Sequence, residues 1–327
     1  MNIKKTALIG ITGVFVILTS CNSDEVPLAE FSASKTDIIE GENISFTDES
    51  SDNPSSWVWD FGDGNPYEAE SLCKSEEQNP SHMYIVGTYT VSLEVTNNEG
   101  SNKEIKTDYI HVIHETGTFT DNRDNRKYKW VKIGTQTWMA ENLAYTGDDI
   151  EHITENDPWE HSEGKGWCNY ENKIGNKDVY GVLYQLEAAK IACPSGWHIP
   201  TNAEWEKLRE YLIEKKYMIY PLDGISDTSI AKSLASDHTW LSTSNNASPG
   251  NINHAEYQNR SDFSALAAGA RYSMGGFYYL NNIAVWWSVT KKDNTSYYNY
   301  KLSYNEQNIS KEIDNELAGY SVRCIKD

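Results

Sequence analysis

Apolar and polar residues alternate in three short stretches of the first third of the chain: Ile44-Ser45-Phe46-Thr47, Trp57-Val58-Trp59-Asp60-Phe61 and Tyr89-Thr90-Val91-Ser92-Leu93-Glu94-Val95. A period of two with the apolar residues on one side predicts half-buried strands. Asn97 to Gly100 marks the turn after the longest strand, and Ile105 to Val112 can return beside it. Short strands separated by turn residues from Leu28 to about Ile113 predict a small β-sandwich. A second pattern starts near Phe119, after a short join. Tyr128 to Gly134 alternates as a strand, and Gln136 to Leu143 follows it. Asp148 to Gly166 is polar and acidic and reads as a loop. Helix formers dominate from Tyr184 to Ala192, with Leu186, Ala189 and Ile191 available for packing, and Cys193-Pro194-Ser195-Gly196 ends that helix. Thr201-Asn202-Ala203-Glu204 is a capping box that opens a second helix. Trp205, Leu208 and Leu212, at i, i+3 and i+7, form its buried stripe. Beyond Pro221 the pattern dissolves into loops and short strands.

The chain opens differently. Lys4 and Lys5 precede an apolar run from Ala7 to Leu18, which ends in Leu18-Thr19-Ser20-Cys21. This is the pattern of a secretory signal, and the run is shorter than the roughly 20 residues a spanning helix needs. The Leu-x-Ser-Cys ending resembles a bacterial lipobox. That resemblance implies removal of residues 1–20, acylation of Cys21 and a membrane as partner through the lipid. Asn22-Ser23-Asp24-Glu25, in an acidic linker over 21–27, resembles the export signal of Bacteroidota lipoproteins, which implies a surface-exposed outer-membrane lipoprotein; a plain acidic linker explains the same residues.

The formal charge is −20, and two units more negative once Lys4 and Lys5 leave. Such a chain repels phosphate backbones, so nucleic acid is not an expected partner. With 21 Tyr and 11 Trp against 7 Phe, the aromatic residues carry polar tips that suit binding faces as well as cores. Cys73, Cys168, Cys193 and Cys324 remain after Cys21, in a compartment that permits disulfides, and no two are spaced as a zinc pair.

Trp59-Asp60-Phe61-Gly62-Asp63-Gly64, Asn79-Pro80-Ser81-His82-x-Tyr84 and Gly87-Thr88-Tyr89-Thr90-Val91 resemble the PKD domain, over residues 28–113. The resemblance implies an immunoglobulin-like β-sandwich used as a spacer or binding module. Asp60 and Asp63 then read as turn formers rather than as metal ligands or a catalytic pair. Residues 119–327 resemble the Fibrobacter succinogenes major paralogous domain. The motifs are Trp138-Met139-Ala140-Glu141-Asn142-Leu143, Tyr180-Gly181-x-Leu183-Tyr184, Ala192-Cys193-Pro194-Ser195-Gly196-Trp197-His198 and Pro200-Thr201-x-x-Glu204-Trp205. Phe263-Ser264-Ala265-Leu266, Trp286-Trp287-Ser288 and Gly319-Tyr320-Ser321-Val322-Arg323-Cys324 complete them. This second resemblance implies an α+β, C-type-lectin-like fold and, with it, a disulfide between Cys193 and Cys324. The expected fold is therefore β-rich and two-domain. Cys168 is left without its usual family partner, and a bridge to Cys73 is the alternative to two thiols.

No cofactor, metal or catalytic residue is expected. The lectin-type calcium site needs acids where this chain has Trp286-Trp287-Ser288-Val289. The related formylglycine-generating enzymes use two active-site cysteines, and none lies between Cys193 and Cys324. Glu151, His152, Glu155, Asp157, Glu160 and His161 match no defined metal spacing and read as a solvated loop. His198 has no nucleophile beside it and reads as a packed histidine. The candidate ligand face is the aromatic group Tyr272, Phe277, Tyr278, Tyr279, Trp286 and Trp287, with Tyr297, Tyr298 and Tyr300 nearby and one of the two tryptophans turned into the core. The resemblances imply a glycan or cell-surface protein as partner, bound without catalysis. A polysaccharide-acting enzyme and a purely structural adhesin component are the alternatives.

Overall fold

The computed structural model describes residues 25–64, 73–154, 159–161, 164–218 and 228–327. The signal pattern, Cys21, Glu155, Asp157, the side chain of His161 and Pro221 lie outside the described residues. The chain is β-rich and divides into two compact units. Of the described residues, one comprises those within 25–35, 44–82 and 89–109, and the other those within 36–43, 83–88 and 110–327.

In the N-terminal strands, Asn43–Asp48 lies between Phe31–Ala33 and Ser81–Met83. In a second sheet Gly87–Asn97 lies between Ser56–Asp60 and Gly100–Ile113. The predicted alternation holds except at Ser92: Tyr89, Val91, Leu93 and Val95 are buried and Thr90 and Glu94 partly exposed, but Ser92 is buried as well. Phe31 meets Trp59 edge-on at 5.2 Å and Phe46 lies 5.3 Å from Phe61, so an aromatic core fills the space between the sheets. Asp60 accepts the Gly62 N–H at 3.0 Å, as a turn former does. Asp63 is used otherwise. It holds His82 Nε2 at 2.7 Å, and that ring stacks on Phe61 at 4.1 Å. Two of the three motifs that resemble the PKD domain are thus halves of one structural clasp.

In the larger unit a five-stranded sheet runs in the order Trp197–His198, Ile325–Lys326, Gln136–Met139, Lys127–Ile133, Thr116–Thr120. The last strand of the chain pairs with Gln136–Met139 on one side and Trp197–His198 on the other. Cys193 and Cys324 are bridged, 6.0 Å apart at Cα across 131 positions, which ties the end of helix Leu186–Ala192 to the residue before that last strand. The bridge implied by the family resemblance is present, while Cys73 and Cys168 remain thiols rather than forming the alternative bridge. The helix packs through Leu186, Ala188, Ala189 and Ala192. Ile191 is 45 % exposed, contrary to the expectation from composition, because two residues beyond Ala189 a helix has turned past its inner face. Helix Asn202–Glu214 carries the predicted capping box, with Glu204 N–H on Thr201 Oγ1 at 3.2 Å and Thr201 N–H on Glu204 Oε2 at 2.7 Å. The stretch expected to be a plain loop contains a short strand, Glu151–His152, parallel to Gly166–Trp167.

A three-stranded antiparallel meander, Ile283–Lys291, Ser296–Ser303 and Ser310–Asn315, completes the unit. Its first strand is covered on both faces. Ala284 and Trp286 join one apolar cluster with Trp138, Trp205 and Phe263, and Val285 and Trp287 join another with Tyr184, Leu186 and Tyr320. Trp286 Nε1 donates to Asn142 Oδ1 at 2.9 Å and Trp287 Nε1 to the Tyr184 carbonyl at 2.7 Å. Both indoles are therefore core, and neither belongs to a ligand face. The expectation that one would be exposed rested on one face of the strand meeting solvent, which this strand does not do.

The family motifs converge on a buried guanidinium. Arg323 is fully buried, donates to the carbonyl oxygens of Phe263 and Ser264 and to Asn142 Oδ1, and lies 4.4 Å over the Phe263 ring. Burial without a contacting carboxylate lowers its pKa to about 9. These motif residues hold loops together.

Candidate functional site

Beside the meander lies a groove enclosing about 500 Å³. Its wall is formed by Val285, Lys301, Ser303, Glu312 and Asp314, and its opposite side by Ala270 and Tyr272. The turn residues Tyr279, Asn282 and Ile283, together with Tyr304, Asn305 and Tyr320, complete the lining. The period of two in Ser310–Asn315 puts Glu312 and Asp314 on one side, while Lys311 and Ile313 are the exposed alternates. Pairing of Tyr297 with Asp314 and of Asn299 with Glu312 sets the depth of those carboxylates.

Tyr272 and Tyr279 stand at the rim, 38 % and 53 % exposed, and Tyr320 lies at the floor, 4 % exposed. Tyr279 has φ +63°, a left-handed backbone that costs an aromatic residue roughly 1–2 kcal/mol. The turn is held in that shape by the N–H groups of Asn282 and Ile283, which donate to the Tyr279 carbonyl at 2.9 and 3.1 Å. Tyr180 Oη donates to Asn281 Oδ1 at 2.9 Å as a further tie.

Lys301 is ion-paired with Glu312. Asp314 Oδ2 accepts the Tyr320 hydroxyl, and Asp314 Oδ1 accepts the Asn315 N–H at 2.7 Å. Burial first, and then the charge of Asp314, push the Tyr320 phenol well above the usual tyrosine value, so it stays a neutral donor. Burial also raises Tyr272, with its neighbours Tyr279 and Asp314 adding to the effect.

Of the expected ligand face, Tyr272 and Tyr279 stand at this rim, and Tyr278, outside the lining, lies 4.3 Å from Tyr272. Phe277 does not join them. It packs on Tyr170 at 5.3 Å and under the Arg271 guanidinium at 4.8 Å, because the strand alternation turns it away from Tyr278. Tyr297 and Tyr300 are buried. Tyr304, Tyr320, Lys301, Glu312 and Asp314 were missed by the sequence reasoning. The alternation of Glu312 and Asp314 along one strand was the available signal.

Among the described residues no three His, Cys, Asp or Glu side chains are placed to hold a metal ion. His152 stacks on Trp167 at 4.1 Å. His198 differs from the packed histidine expected: it is 38 % exposed and bonded to Asp327 Oδ1 at 2.6 Å and Glu204 Oε1 at 2.9 Å. Burial disfavours its cation, but the two carboxylates outweigh that and hold its pKa above the usual histidine value. No helix among the described residues is long and apolar enough to cross a membrane.

The Fibrobacter succinogenes major domain family matches residues 131–326, and the PKD domain family matches residues 24–112. Two solved structures are similar over parts of the chain. One comes from work on the promiscuous specificity of carbohydrate-binding modules of the β-sandwich superfamily. It is 21 % identical, with 36 % of this chain and 56 % of that chain covered and a TM-score of 0.25. The other is a solution NMR structure from Methanosarcina mazei, 25 % identical, covering 33 % of this chain and 78 % of that one, with a TM-score of 0.20.

Proposed function

We propose, from the premise that the chain belongs to the Fibrobacter succinogenes major domain family, that it is a non-catalytic binding protein whose larger unit takes a glycan in the groove beside the meander. The observation that carries this reading is the groove itself. Rim tyrosines offer flat apolar faces to sugar rings, and Asn282, Ser303, Asn305 and Asp314 offer hydrogen-bonding groups to their hydroxyls. Its size lies within the roughly 300–1,000 Å³ usual for small-ligand sites. The PKD unit serves as a spacer, the C-type-lectin-like fold as the scaffold, and an acylated Cys21 as a tether that holds both on the outer membrane, facing outward. The motif sequence around Cys21 supports the tether.

Glu312 and Asp314 favour a second reading, a polysaccharide-acting enzyme. However, a glycosidase pair flanks the scissile bond from two sides. Here both carboxylates share one side of one strand, and one of them is neutralised by Lys301. A glycan array probed with purified protein tests the proposal. Binding that falls about tenfold or more in Tyr279→Ala and Tyr272→Ala, with unchanged melting, supports it. Binding that both variants leave intact contradicts it, released saccharide products favour the enzyme, and a blank array with retained surface association favours a structural role.

A further inference from the structure

We infer that the ligand of this groove presents a positively charged amino group, as a glycan with free, non-acetylated amino sugars does. The inference rests on the glycan reading above and narrows it. Three charged side chains line the groove. Lys301 and Glu312 neutralise each other. Asp314 is left with a negative charge, since its two bonds come from neutral donors, the Tyr320 hydroxyl and the Asn315 N–H. Among the described residues no basic side chain pairs with it, and Lys301 is the only basic side chain in the lining. Tyr272, Tyr279, Tyr304 and Tyr320 line the same groove. Ring faces around one uncompensated carboxylate attract a cation twice over, through the ring quadrupoles and through the charge. The chain's charge of −20 adds a long-range field of the same sign. A uronate would meet Asp314 and be repelled, and an N-acetylated amine would bring no charge to it.

Titration calorimetry at about pH 6 and low salt with a glucosamine tetrasaccharide, its fully N-acetylated form and a galacturonate tetrasaccharide tests this. The free amine is expected to bind about tenfold or more tighter than the N-acetylated form. Asp314→Asn, which keeps an acceptor for Tyr320, reduces that ratio to about twofold or less. Raising salt from about 50 to about 500 mM lowers the ratio in the unmodified protein, which needs no variant. Equal or tighter binding of the acetylated or acidic sugar overturns the inference. So does a preference that Asp314→Asn leaves untouched, or silence of all three. If a neutral glycan still binds in a Tyr279-dependent manner, the groove reading survives that loss. If no glycan binds at all, both fall together.

Discussion

Breaking the Cys193–Cys324 bridge is the perturbation whose cost follows most directly from the structure. The bond spans 131 positions. In the chain-entropy treatment a closed loop of that size destabilises the unfolded chain by about 5 kcal/mol at 25 °C. A domain has roughly 5–15 kcal/mol in total, so the reduced protein stands near its threshold. At about 2–4 °C per kcal/mol for a unit of this size, the melting transition falls by roughly 10–20 °C. The assay is calorimetry and urea unfolding of the same protein, oxidised and then held reduced by excess thiol, with Cys193→Ala/Cys324→Ala as a second form. Comparing one sequence in two redox states avoids confusing the bridge with the cavity left where Cys324 is buried. A loss below about 1 kcal/mol would refute the view that the bridge locks the terminal strand to the helix end.

His198 makes the stability of the capped helix pH-dependent. Its contribution is fully present below the unfolded histidine value and is lost as pH rises through the raised folded one. For Glu204, burial opposes ionisation but the Thr201 and His198 bonds lower its pKa, so its share is lost only as pH falls through that lowered value. The melting difference between the protein and His198→Gln is therefore larger near about pH 5.5 than near about pH 8.5; a difference independent of pH contradicts the assignment. Gly62→Ala destabilises the PKD unit by at least about 2 kcal/mol in urea unfolding, because φ is +77° and a Cβ would lie 2.1 Å from the Thr90 carbonyl oxygen. Unchanged stability would show that the turn is shaped otherwise. The Cys168 thiol is fully buried, and burial pushes its pKa up to about 11. It stays unalkylated in peptide mass mapping until the protein unfolds, and rapid labelling in the native state contradicts its placement.

Much of the architecture was legible because local rules and tertiary packing agree. The alternation from Tyr89 to Val95 and the box at Thr201 and Glu204 act within a few residues, where sequence spacing is geometry. The Cys193–Cys324 pairing came through the family motifs rather than the spacing. The site was legible only in part. Tyr272 and Tyr279 stood out as aromatic residues, but Trp286 and Trp287 stood out equally and are core, since their strand is sandwiched between two apolar clusters. Asp314, Tyr304 and Tyr320 come from separate strands and turns, and the register of Tyr297 with Asp314 brings the carboxylate to the groove. No linear spacing records that register.

The central claim is that the tyrosine-lined groove, and not the tryptophan core, holds an intact saccharide. Chemical-shift mapping of ring-labelled tyrosine and tryptophan during titration with an array-selected glycan tests it most directly. The expected result is saturable shifts at Tyr272, Tyr279 and Tyr304, quiet Trp286 and Trp287 indoles, and the sugar recovered uncleaved. Shifts confined to other residues, or cleavage of the sugar, would contradict it.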